Sequence, residues 1–212
     1  MMAYSPGKRT VDEYEVIEGC RWPCGGQELQ PVLSLGELPL SDGFLEEADL
    51  RLPEAKYPLN VVFCPGCSLV QLMETIAPEI LFGSDYPYYS SFAKSLLAHS
   101  RDNARRLIQS RALGKDHLVV ELASNDGYMI RNFAQAGIQV LGIDPADGPA
   151  RAAEALGIPT ICDFFGSRLA KRLVEEGRRA DVVIANNVLA HVSNLGGFVD
   201  GIASILKTKA LL

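Results

Sequence analysis

From residue 117 onward, short apolar runs alternate with stretches whose apolar positions recur every three or four residues. Runs at 117–122, 138–143, 158–162 and 181–186 predict strands, and helical spacing over 126–136, 148–156, 167–177 and 194–207 predicts a helix after each. Repeated strand–helix units imply a parallel sheet with helices on both faces. The first unit is the most informative. Its strand ends in Ala123-Ser124-Asn125-Asp126-Gly127, and an amphipathic stretch follows directly. Small residues there let a ligand approach the backbone, and N–H groups at a helix start can hold polar ligand atoms. The second strand ends in Asp144, 23 residues after Glu121. A carboxylate at about that distance suits ribose hydroxyls, so this half reads as nucleoside-binding.

Upstream the pattern changes. The strand-like pieces Pro31–Leu35, Leu59–Phe63 and Leu69–Leu72 are too short to bury much surface. Four of the five cysteines lie among them as two pairs, Cys20 with Cys24 and Cys64 with Cys67, while Cys162 stands alone in an apolar context. Each pair sits in a turn with glycine within or just after it, which lets backbone N–H groups point at thiolate sulfur. In a chain without an export signal, such pairs indicate metal rather than disulfides. Four thiolates close a zinc coordination shell, so the expected zinc is structural and supplies the stability that the short strands lack. Unliganded buried thiols are the alternative. Between the two regions, 75–113 reads as helical with one interruption at 83–91, and its helix is expected to pack on the following domain.

Composition narrows the function classes. The 212 residues are 48% apolar and 22% charged, enough for one ordinary domain or two small ones. A net charge of −6 without a basic run disfavours a nucleic-acid partner. The polar N-terminus has no apolar core resembling a signal peptide, and no run approaches a membrane span, so a cytoplasmic protein is expected.

Several blocks in order resemble one family. Cys20-Arg-Trp-Pro-Cys24-Gly-Gly, Leu35-Gly-Glu-Leu-Pro-Leu-Ser41 and Cys64-Pro-Gly-Cys67-Ser-Leu-Val-Gln-Leu72 resemble the N-terminal zinc domain of S-adenosylmethionine-dependent sugar C-methyltransferases. Tyr86-Pro-Tyr-Tyr-Ser-Ser91, Glu121 to Gly127, Gly142-Ile-Asp-Pro145 and Asn186-Asn-Val-Leu-Ala-His191-Val look like that family's later signatures. The resemblance spans about residues 20 to 207. It implies an α/β architecture: a leader at 1–15, a small zinc-binding domain at 16–75, a helical connector at 76–115, and a partial Rossmann-like class I methyltransferase domain at 116–212. Only the first four strands of that domain are expected.

The resemblance also implies a cofactor site for S-adenosyl-L-methionine. Ala123, Ser124, Asn125 and Gly127 would cradle its methionine portion, with Glu121 near the ammonium and Asp144 on both ribose hydroxyls. The loop is poorer in glycine than the usual methyltransferase form. Asp163 and Phe164 would meet the adenine amino group and ring, and Asn186 would stand beside the sulfonium carbon. Asp144 as a turn residue and Phe164 as core are the plainer readings.

The implied substrate is a nucleotide-linked 4-keto deoxysugar. Methylating its carbon requires a base to remove a proton beside the carbonyl. His191, five residues past Asn186, is the histidine expected at the carboxyl end of the sheet; His99 and His117 read as surface. A buried histidine capping local backbone is the alternative for His191. Tyr86, Tyr88 and Tyr89 would form a lid, with Tyr86 and Tyr89 the further catalytic candidates, or would only pack together.

The family's chain continues further, so this one reads as an N-terminal portion with doubtful activity alone. Strand 181–186 would lack a neighbour, leaving an apolar edge prone to self-association. An NAD-dependent oxidoreductase is disfavoured because the loop lacks G-x-G-x-x-G. A non-catalytic zinc-containing binding module with a vestigial nucleoside fold, and a methyltransferase with another small-molecule acceptor, are the competing readings.

Overall fold

The computed structural model describes residues 14–83 and 86–211. Two compact units divide between Leu81 and Phe82, inside the span read as a connector. Residues 1–13 of the expected leader lie outside the described residues, whereas Tyr14 and Glu15 already belong to a strand.

In the first unit, β1 (Tyr14–Val16) pairs antiparallel with β5 (Glu74–Ile76). β2 (Gln30–Leu38), β3 (Tyr57–Phe63) and β4 (Val70–Leu72) form an antiparallel sheet in that order. The short helix α1 (Pro78–Leu81) closes the unit. Its apolar core is thin. Among its described residues only Tyr57, Val62 and Cys64 are buried apolar side chains, and every residue of β2 is exposed. Polar contacts tie the strands instead. The Arg21 guanidinium donates to the carbonyls of Leu72 and Glu74. The buried Glu74 carboxylate accepts from the Asn60 backbone at 3.0 Å and side chain at 2.6 Å.

The second unit is the α/β domain. Its strands are β6 (Leu118–Leu122), β7 (Gln139–Ile143), β8 (Thr160–Ile161), β9 (Ala180–Ile184) and β10 (Leu206–Leu211), all parallel in the order β10-β9-β6-β7-β8. Between them run α3 (Arg131–Gln135), α4 (Asp147–Ala155), α5 (Ser167–Glu175) and α6 (Leu195–Ile205), and α2 (Lys94–Arg111) precedes the first strand.

Alternation along the strands sends their side chains to opposite faces. Val119 and Val182 pack with Phe133 of α3 and Ala104 of α2, so the long connector helix does cover this sheet. Val120, Leu122 and Val183 pack with Leu169 and Leu173 of α5 and Phe198 and Ile202 of α6. Both faces are therefore covered, as the strand–helix alternation predicts. No helix among the described residues is long and apolar enough to cross a membrane.

Two elements correct the reading from the sequence. The expected last helix stops at Ile205 and passes straight into β10, which lies beside β9. Among the described residues the sheet thus has five strands rather than four, and the strand expected at an open edge is interior. Self-association through that edge loses its basis. Lys207 Nζ, 2.6 Å from Asp181 Oδ2, fastens the new strand to the start of β9. The helix expected over 126–136 is also shorter. Residues 123–130 wind through turns, and α3 begins only at Arg131.

Candidate functional site

The four paired cysteines converge. The Sγ atoms of Cys20, Cys24, Cys64 and Cys67 all lie within 4.8 Å of one another, with Cys20–Cys67 at 3.5 Å and Cys24–Cys64 at 3.6 Å. Zn–S bonds of about 2.3 Å would place neighbouring sulfurs of a tetrahedron about 3.8 Å apart, so this donor set fits zinc. The Gly26 N–H reaches Cys24 Sγ at 3.4 Å. A Cβ at Gly26 would stand 2.7 Å from Cys64 Sγ, so only glycine passes between the ligands there. The remaining cysteine, Cys162, is exposed, contrary to its apolar sequence context.

The strand order reverses at β6, whose neighbours β7 and β9 lead to opposite sides of the sheet; ligands of such sheets bind outside the carboxyl ends at that point. The loop after β6 has left-handed backbone at Ala123 (φ 51°), Asn125 (φ 49°) and Gly127 (φ 75°). At Gly127 a Cβ would also stand 2.4 Å from Ile158 Cδ1. Asp144, at the end of β7, braces this loop: Oδ2 accepts from the Asn125 N–H at 2.7 Å and Oδ1 from Ala146 N–H at 2.9 Å. Each carboxylate oxygen retains a second lone pair for a ligand hydroxyl.

Glu121, 1% exposed, accepts from the Ile130 N–H through Oε2, so that N–H of the expected helix start is already taken. Its Oε1 has no partner, nor do Ser124 Oγ and Asp126 Oδ1. Asp126 is a residue that sequence reasoning missed. So is Tyr128, a buried side chain near Asn186 just past β9, whose pKa is pushed up to about 12, chiefly by burial.

The segment 86–91 is fastened onto this loop. Asn125 Oδ1 accepts from the Ser90 N–H at 2.8 Å, and Asn125 Nδ2 donates to the Tyr88 carbonyl at 3.0 Å. Asp126 Oδ2 accepts from the Ser91 N–H at 3.1 Å. Tyr89 stacks on Phe92, and its hydroxyl lies against Gly148 in the first turn of α4, where a Cβ would stand 2.6 Å away.

The catalytic candidates separate into two places. Tyr86 and His191 both pack edge-on against Phe82, with ring centroids 5.6 Å and 6.2 Å away, whereas Tyr89 belongs to the α4 end. His191 is exposed in a single helical turn, Leu189–His191. His99 is exposed; His117 is half-buried, its Nδ1 accepting from the Gly114 N–H. Asp163 is held by both oxygens to Arg168 at 2.8 and 2.9 Å, and Phe164 is half-buried.

Burial pushes Glu121 well above its ordinary value of 4.5; the Ile130 N–H pulls back next, and the charges of Asp144 and Asp126 then push it further up. Asp144 is also raised, by burial first and by Asp126, against the N–H groups of Ala146 and Asn125. A carboxyl raised on folding binds more protons in the native than in the unfolded state. Stability is therefore fully present below the unfolded value and falls as pH rises through the folded one. Glu121→Gln removes this loss. Its melting temperature is expected to match wild type near pH 4 and exceed it at pH 8, the underlying stability advantage growing by about 1.4 kcal/mol per pH unit until the folded value is passed. Parallel melts at both pH values check this; an advantage independent of pH would refute it.

Comparison with known proteins matches both units. The family description "Putative zinc binding domain" fits residues 20–82, and "Methyltransferase domain" fits residues 120–212. The chain is 32% identical over 195 residues to C-methyltransferase NovU of Streptomyces niveus, which covers 92% of this chain and 46% of that protein. It is 30% identical over 117 residues to the ubiquinone biosynthesis O-methyltransferase of Methylobacterium nodulans, covering 53% of this chain and 44% of that protein. The chain thus spans about half the length of the curated relatives it matches. A solved magnesium protoporphyrin IX methyltransferase from Synechocystis, with S-adenosylmethionine bound, overlaps 53% of this chain and 56% of that one at 19% identity and TM-score 0.42, too loosely to add to the assignment.

Proposed function

The chain belongs to the S-adenosylmethionine-dependent methyltransferases, with a zinc-binding domain ahead of the methyltransferase domain, and from that premise we propose that it serves methyl transfer to carbon of a nucleotide-linked 4-keto deoxysugar. The likeness to a C-methyltransferase across nearly the whole chain supports carbon as the acceptor. The observation that carries the reading within the fold is the carboxylate group at the end of β6 and β7. Glu121 and Asp126 each keep an oxygen without a partner, and Asp144 keeps spare lone pairs. Such a cluster suits a ligand that brings both hydroxyls and a positive charge.

S-adenosylmethionine supplies an electrophilic methyl group when bound. The chain's part is to hold it and to prepare the acceptor. Asp144 would take its ribose hydroxyls, the left-handed loop 123–127 would carry the methionine portion, and Asn186, near Tyr128, would border the site past β9. Asp163 and Phe164 would flank the adenine, Asp163 with Arg168 as its counter-ion. His191, set against Phe82 with Tyr86, takes the proton from the carbon beside the keto group. Removing that proton gives a carbon nucleophile, and the exposed imidazole can pass the proton on to water.

Proton abstraction can be read without methyl transfer. In heavy water, the zinc-replete chain is expected to exchange deuterium into a nucleotide-linked 4-keto deoxysugar beside the carbonyl, faster than a protein-free control. His191→Ala is expected to slow this by about 100-fold or more. Mass spectrometry of the sugar measures both. Exchange no faster than the control, and no methylated sugar after adding S-adenosylmethionine, would sink the sugar assignment.

A further inference from the structure

We propose that Asp126 is a cofactor-binding residue, its Oδ1 accepting a hydrogen bond from the α-ammonium of S-adenosylmethionine while its Oδ2 keeps Ser91 fastened to the loop. The inference rests on the cofactor reading above and gives Asp126, within the loop already placed against the methionine portion, a role of its own. Asp126 is 3% exposed and Glu121 1%, and each commits one oxygen to a backbone N–H, of Ser91 and Ile130 respectively. The other oxygen of each has no partner. Their charges act on one another, and no Lys or Arg is ion-paired with Glu121, Asp126 or Asp144 among the described residues.

An unpartnered carboxylate oxygen sealed from water calls for a hydrogen-bond donor that is preferably cationic. The sulfonium carries charge but no donor, and the ribose hydroxyls are matched to Asp144. The ammonium, with three N–H donors and a positive charge, suits such an oxygen. Because the two oxygens are sealed, the ligand must displace a covering segment to reach them. Residues 86–91 are bonded to this loop at Tyr88, Ser90 and Ser91, so they are the segment expected to lift and return.

The test is a calorimetric titration of the zinc-replete chain with S-adenosylhomocysteine and with its analogue lacking only the α-amino group. Wild type is expected to bind S-adenosylhomocysteine at least about tenfold more tightly than the deaminated analogue. Asp126→Asn is expected to narrow that gap by about tenfold while holding the deaminated analogue within twofold of wild type. An unchanged gap in the variant, or an equal loss for both ligands, overturns the proposal. If wild type binds neither ligand, the cofactor reading itself fails and this one with it. Should Asp126→Asn lose zinc or its cooperative melt, Asp126→Ser is read by the same comparison.

Discussion

Cys64→Ser is expected to release the zinc and unfold residues 14–81 as a unit, while the five-stranded domain keeps its own melting transition. The reason lies in how little else holds the first unit. Among its described residues the buried apolar side chains are Tyr57, Val62 and Cys64 itself, and β2 presents Val32, Leu33, Leu35 and Leu38 to solvent. Such a core supplies only a few kcal/mol. A structural zinc in a small module contributes on the order of 10 kcal/mol or more at neutral pH, as much as the whole stability of many domains. Cys64 is the most deeply buried of the four ligands, so a hydroxyl there leaves a poor donor where water cannot substitute. Metal content by atomic emission, with thermal melts followed by circular dichroism, measures the effect. One zinc per chain in wild type and almost none in the variant is expected. A variant that retained metal and the wild-type melt would mean that the polar ties among Arg21, Asn60 and Glu74 hold the unit.

Asp144→Ala is expected to weaken S-adenosylhomocysteine binding by at least about 100-fold, since two hydroxyl contacts to a charged acceptor are lost together. It also strands the N–H groups of Asn125 and Ala146, a cost of roughly 1–3 kcal/mol each. Part of that cost is offset as pH rises above the ordinary value of 3.8, where the variant is spared an ionised carboxylate disfavoured by burial. Asp144→Asn keeps one acceptor for the backbone, so it should restore much of the stability and little of the affinity. Calorimetry and melts on both variants separate the two roles. Equal binding by the alanine variant and wild type would leave Asp144 as a brace for the loop alone.

What could be read from the sequence followed from how local each signal is. The zinc ligands are legible because each pair sits within one turn, and the sheet because the middle residues of β6, β7 and β9 are buried and mostly apolar. The fifth strand was hidden because Leu206 and Lys207 continue the helical spacing of Ile202 and Ile205, while the contact that fixes the strand is with Asp181, 26 residues earlier. Asp126 was hidden for a similar reason. Nothing in Ala-Ser-Asn-Asp-Gly signals that its carboxylate is buried; that depends on Ser91, 35 residues upstream. The pairing of Asp163 with Arg168 was not legible either, because it depends on the path of residues 164–166 into the start of α5.

The left-handed residue at position 125 has one more consequence. An asparagine tolerates that backbone better than most side chains do, and unlike glycine it brings an amide that can grip another stretch of chain. Here the amide grips Tyr88 and Ser90, so the bend in the loop and the attachment of 86–91 share one residue. The two segments should then open and close as one cooperative unit of local unfolding, their backbone amides exchanging with solvent at a common rate set by that opening rather than one by one.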